Sequence, residues 1–216
     1  TVFGTHYRKE DFYIDGMFNY GKTDYDTERN ILFPQSATVT IADTITGDTD
    51  GTHYAVNVGI GKDFIKPTGL EFGVYGRASY YDGEIDSYQE KSTGSSALEL
   101  DIRDQDFQSL VSILGGEIAK TYSKNFGVII PRARLEYIHE FEDDSRGMIA
   151  RYVNDPFGNA FFQVPTDKPD RNYFFAGVGV SSVFKNGTQA FLYYETTLGY
   201  DDITNNSFVF GLRSEI

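Results

Sequence analysis

Hydrophobicity along this chain alternates with a period of two, and it does so from one end to the other. In IPRARLEYIHEF (130–141), Pro131, Ala133, Leu135, Tyr137 and Phe141 fall on one parity, while Arg132, Arg134, Glu136 and Glu140 fall on the other. Successive side chains of an extended strand point to opposite faces, so this pattern makes a strand that is apolar on one side and charged on the other. DFYIDGMFNYG (11–21) sets Phe12, Ile14, Phe18 and Tyr20 against Asp11, Asp15 and Asn19. GLEFGVYGRASYY (69–81) sets Leu70, Phe72, Val74, Ala78 and Tyr80 against Glu71, Tyr75, Arg77 and Ser79. The division recurs in THYAVNVGIGKDF (52–64), NYFFAGVGVSSVF (172–184) and SFVFGLRSEI (207–216). It is less clean in QSLVSILGGEIAK (108–120) and TQAFLYYETTLG (188–199), and a partial strand, TVFGTHYR, occupies residues 1–8. That makes about nine strands of around ten residues each, the length needed to cross a bilayer at a tilt.

Alternation leaves open which face points inward. A soluble sandwich or barrel turns its apolar face to a dry core, and an outer-membrane barrel turns it to lipid. The links between strands bear on the choice because their lengths alternate. Short links fall at RKE (8–10), IKPTG (65–69), YSKN (122–125) and FKNG (184–187); long acidic links fall at about 24–50, 82–105 and 142–171, with a shorter one at about 200–206. Such a meander has all its tight turns at one end and all its long loops at the other, as outer-membrane barrels do. The polar parity collects both signs of charge: Asp11, Asp15, Asn19, Glu71, Arg77, Glu117, Arg132, Arg134, Glu136, Glu140, Glu195 and Arg213. The opposite parity is almost free of charge, which suits lipid better than water. Phe72, Val74, Val178, Phe210 and Leu212 are therefore expected to face lipid, and the charged set a wet lumen with cross-strand pairs. The expected fold is all-β: an antiparallel up-and-down transmembrane barrel of outer-membrane type.

The stretch IPRARLEYIHEF, the ending that runs from ARYVNDPFGN (150–159) to FGLRSEI (210–216), and YIDGMFNYGKTDYDTERNI (13–31) together resemble the translocator domain of autotransporters, the type V secretion proteins of Gram-negative outer membranes. In order and spacing the likeness covers nearly all of residues 1–216. It implies a twelve-stranded barrel of which this chain carries the C-terminal portion, with three strands, a pore helix and a passenger ahead of residue 1. It also implies that the domain helps export and anchor an N-terminal passenger. The implied partners are outer-membrane lipid, a passenger segment in the lumen and the barrel-assembly machinery. That machinery reads a terminal aromatic in the family, whereas this chain ends on Ile216. The alternative of another class is a small porin- or adhesin-type barrel without a passenger, and a soluble lipid-binding barrel is a more distant third.

Other chemistry finds little support. With 19 Lys plus Arg against 32 Asp plus Glu, a net charge of -13 opposes nucleic-acid binding. The chain has no Cys, no G-x-S-x-G elbow, and three His (His6, His53, His139) scattered over separate strands, so no catalytic or metal residues are expected and no cofactor is implied. DTITGDTDG (43–51) has the look of a calcium loop but lacks the closing Glu of an EF-hand. The glycines of GIGKDF (59–64) and GVGVSS (177–182) lie on the lumen parity and are expected to let the backbone approach whatever occupies the lumen. Within 142–171, GMIARYV and NAFFQV are too β-prone for a solvated loop, and DPFGN between them reads as a turn, so a hairpin at the external mouth is expected.

Overall fold

The computed structural model describes residues 1–8, 12–34, 36, 40–94, 96–142, 147–158, 160–166, 168–201 and 203–214. Asp11 and Ile216, both singled out from the sequence, lie outside the described residues. Among the described residues, nine strands form the wall: β1 (Val2–Arg8), β2 (Phe12–Pro34), β3 (Thr40–Ile65), β4 (Leu70–Ile85), β5 (Gln105–Lys120), β6 (Gly127–Glu140), β7 (Asn172–Phe184), β8 (Gln189–Leu198) and β9 (Asn206–Arg213). Each pairs antiparallel with the next in sequence, so the wall is a plain meander. Its register steps regularly; one row across the sheet reads Tyr13, Gly61, Tyr75, Gly115, Glu136, Phe175. Among the described residues β1 pairs with β2 alone and β9 with β8 alone, which leaves an open, curled half-barrel.

Burial identifies the two faces of the curl. On β6, Glu136, Ile138 and Glu140 are buried, while their neighbour Leu135 on the other face is 54 % exposed. The charged parity is therefore concave. The convex face carries Val58, Val74, Leu114, Val178 and Phe210, each more than half exposed. A continuous apolar surface of this kind is untenable in water and is what a lipid-facing wall presents. Aromatic pairs lie on it near the short-turn end, with Phe64 and Phe72 stacked at 4.6 Å between ring centroids.

The long links are more ordered than their acidity suggests. Residues 24–34 and 40–50 are not a loop: β2 and β3 stay in register without a slip from Phe12 opposite Lys62 to Pro34 opposite Thr40. TIADTIT (40–46) sets Thr40, Ala42, Thr44 and Thr46 against Ile41, Asp43 and Ile45, and β-branched residues hold an extended backbone whatever the net charge. The link between β6 and β7 does contain the expected hairpin, Gly147–Tyr152 against Phe162–Pro165. Its turn is built by Asp155, whose carboxylate accepts from the amides of Phe157 at 3.0 Å and Ala160 at 3.1 Å, with Gly158 at φ 67°. This hairpin joins Leu100–Ile102 and Tyr88–Gln89 from the link between β4 and β5 to make a separate four-stranded sheet. Leu100, Ile102 and Ala150 form its buried core, with Tyr88, Met148 and Phe162 packed around them.

Candidate functional site: the concave polar wall

The concave wall works as a set of rows in which a glycine on one strand leaves room for a large side chain on the next. A Cβ on Gly115 would lie 2.4 Å from the ring of Tyr75, one on Gly61 2.4 Å from Tyr13, and one on Gly179 2.2 Å from Tyr193. No side chain fits at those distances, so the tyrosines lie flat across the neighbouring strand. Gly59 makes the same space for the carboxylate of Asp15, at 2.5 Å. The sequence assigned Gly59, Gly61 and Gly179, though not Gly115, to close approach by an occupant of the lumen. Instead their space is filled by the wall's own side chains.

The cradles set up contacts that span two strands. Tyr75 on β4 reaches over Gly115 on β5 and donates from its hydroxyl to Glu136 Oε1 on β6, at 2.5 Å. Arg134 on β6 reaches over Gly177 on β7 to Glu195 on β8, with Nη2 2.8 Å from Oε1. Arg134 also sits directly opposite Glu117 in register and stacks over the ring of Phe175 at 5.1 Å. Glu140 is buried and accepts three bonds: from Ser109 Oγ at 2.6 Å, the amide of Leu110 at 2.9 Å and that of Glu142 at 3.0 Å.

The remaining residues predicted for this face are less tightly held. Arg77 turns to the ring of Tyr75, 5.6 Å away, rather than to a carboxylate. Asn19 donates to the hydroxyl of Thr1. Glu71 and Arg132 line a cavity of about 140 Å³ together with Asp63 and Glu117. Arg213 is exposed on β9, opposite Gln189. Among the described residues the lattice of charge pairs is thinner than the sequence led one to expect: Tyr75 holds Glu136, and Ser109 and backbone amides hold Glu140. Tyr13 and Tyr193 went unassigned and Tyr75 was placed only by its parity, although the sequence carries a signal for all three: aromatic and Gly occupy the same parity on adjacent strands.

The histidines lie apart. His139 meets Asn172 Oδ1 through Nδ1 at 2.8 Å on the convex side, and His53 stacks on Tyr81 at 5.9 Å. DTITGDTDG is part of β3 and forms no loop. What such a wall offers is a polar surface bearing both signs of charge, with Arg134 against Glu195 and carboxylates held by hydroxyls and amides. The family model described as the autotransporter beta-domain matches residues 1–195. No curated protein matches the chain.

Proposed function

Because the chain belongs to the autotransporter β-domain family, whose members are outer-membrane translocator barrels, we propose that it helps carry an N-terminal passenger through its lumen and then anchors it at the surface of a Gram-negative cell. The observation that carries this reading is the split between the faces. The convex side exposes Val74, Val178 and Phe210, while the concave side holds Arg134 paired with Glu195 and Glu136 bonded to Tyr75. The first surface retains the domain in lipid. The second presents hydrogen-bonding groups to an extended polypeptide without the single-sign field that would trap it. On this reading Asp15, Asn19, Glu71, Arg77, Glu117, Arg132, Arg134, Glu136, Glu140, Glu195 and Arg213 line the passage. The partners are outer-membrane lipid, the passenger segment and, during insertion, the barrel-assembly machinery. The work is physical, with no covalent step.

The test uses Arg132→Leu together with Arg134→Leu in the full-length protein. Passenger displayed at the cell surface is quantified against barrel inserted in the membrane. The ratio is expected to fall, since the pair Arg134–Glu195 is broken and the wall acquires apolar patches. An unchanged ratio would overturn the transport role of these charges.

A further inference from the structure

The small four-stranded sheet sits on a particular face of the wall. The register of β2 and β3 is continuous, so Asp43, Ile45 and Gly47 lie on the same face of β3 as Gly59, Gly61 and Asp63 of the concave wall. All three are buried, whereas Asp48 on the opposite face has a side chain 75 % exposed. What buries them is the link between β4 and β5. A Cβ on Gly47 would lie 2.6 Å from the ring of Tyr88, and Lys91–Ser92 pairs edge to edge with Ile45 and Thr46. The sheet is therefore folded inward over the long-link end of the concave face.

It is also fastened there. Arg29 on β2 donates from Nε and Nη2 to the two oxygens of Glu90, at 3.2 and 2.5 Å, and from Nη2 to the carbonyl of Leu98 at 2.9 Å. Glu90 is buried, and its Oε2 accepts the amide of Leu100, a core residue of the small sheet, at 2.8 Å. Asp43 takes the hydroxyl of Ser92 at 2.6 Å and the amide of Ser96 at 3.1 Å. A buried carboxylate held by a forked guanidinium is costly to leave unpaired, so the contact favours one position of the sheet over all others.

We propose that this sheet is a cap that closes the long-link end of the lumen to small solutes, with Arg29 and Glu90 as its fastener and Tyr88 seated on Gly47 as a second contact. The proposal rests on the reading of the chain as an outer-membrane pore domain and adds to it a permeability barrier carried by the chain's own links. The full-length protein in liposomes is assayed for uptake of an uncharged sugar, a readout that needs no moving passenger. Surface display of the passenger, measured on the same variants, reports separately on translocation. Glu90→Gln and Gly47→Val are each expected to raise sugar flux several-fold and to speed amide exchange at Leu100 and Ile102. Linking the register partners Thr46 and Lys91 through Thr46→Cys and Lys91→Cys in the Glu90→Gln background is expected to return flux to the native level when oxidised and release it on reduction. Faster exchange with unchanged flux would overturn the seal, and unchanged exchange in both released variants would overturn the fastener. If neither released variant assembles in the membrane, the sheet is a folding element and the proposal fails.

Discussion

Gly115 illustrates how much one absent side chain decides in this wall. It is the floor on which Tyr75 lies to reach Glu136, so Gly115→Val forces either the ring or the strand to move. Overpacking of this kind costs about 1–3 kcal/mol, and thermal unfolding of the detergent-refolded protein should show a lowered midpoint. Gly16→Ala is the contrast: its Cβ would meet only the Asn57 carbonyl at 3.8 Å, and the midpoint should stay where it is. The bridge between Arg134 and Glu195 is a smaller matter. Both side chains are a quarter to a third exposed, so Arg134→Ala should cost only about 0–1 kcal/mol once solvent screening is counted. Its expected effect lies on transport rather than stability. Parity assigns each of these residues to one face or the other, because period two is a property of any strand. It could not tell that Arg134 meets Glu195 while Arg77 meets a tyrosine, since that depends on register between strands and on where glycines leave room.

At the scale of elements, the strands of the wall were legible, and the order within the long links only in part. Residues 24–50 look like a solvated acidic loop by charge, yet 24–34 and 40–50 pair as extensions of β2 and β3, with β-branched residues alternating over 40–46. The hairpin at Gly147–Pro165 was readable because its two apolar halves flank a turn built on Asp155 and Gly158. Its docking onto a strand from a different link was not, because edge pairing between distant segments leaves no local mark. The cap should also respond to acid. Hydrogen bonds from Ser92 first and Ser96 second hold the Asp43 carboxyl below its ordinary value of 3.8, at about 2. A carboxylate whose folded value is depressed contributes its stabilisation in full above the unfolded value and loses it as pH falls through the folded one. The thermal midpoint of the cap should therefore drop between about pH 4 and pH 2 in the native protein, and drop less in Asp43→Asn. Amide shifts of Ser92 and Ser96 should titrate with the same transition.

For the molecule as a whole, the placement of apolar surface is the inverse of a soluble fold: the buried hydrophobic cluster belongs to the cap, and the convex face of the wall exposes Val58, Val74, Leu114, Val178 and Phe210. That inversion predicts an asymmetric response to charge. Val178→Arg, in the middle of β7 on the convex face, should cost about 2–4 kcal/mol of membrane insertion, whereas Ser181→Arg on the concave face should cost little. Urea titration of folding into lipid vesicles would measure both. Equal costs would contradict the assignment of faces, which the sequence supplied through its alternation and the burial of Glu136 and Glu140 supports.

The length of β2 and β3 gives this domain reach. Beyond Tyr20 and Tyr54, the last large apolar residues of the convex band on these strands, the hairpin continues to Pro34 and Thr40. At about 3.3 Å per residue and a strand tilt of about 40°, its tip stands roughly 35–45 Å from that band. Leu32, near the tip, is 75 % exposed. If the long-link end faces outward, an antibody, a phage or a neighbouring cell would touch this arm before it could touch the wall. Substitutions near Leu32 should then alter what the cell surface displays to others while leaving the barrel itself intact, and whole-cell binding by antibodies raised against residues 24–34 would test it.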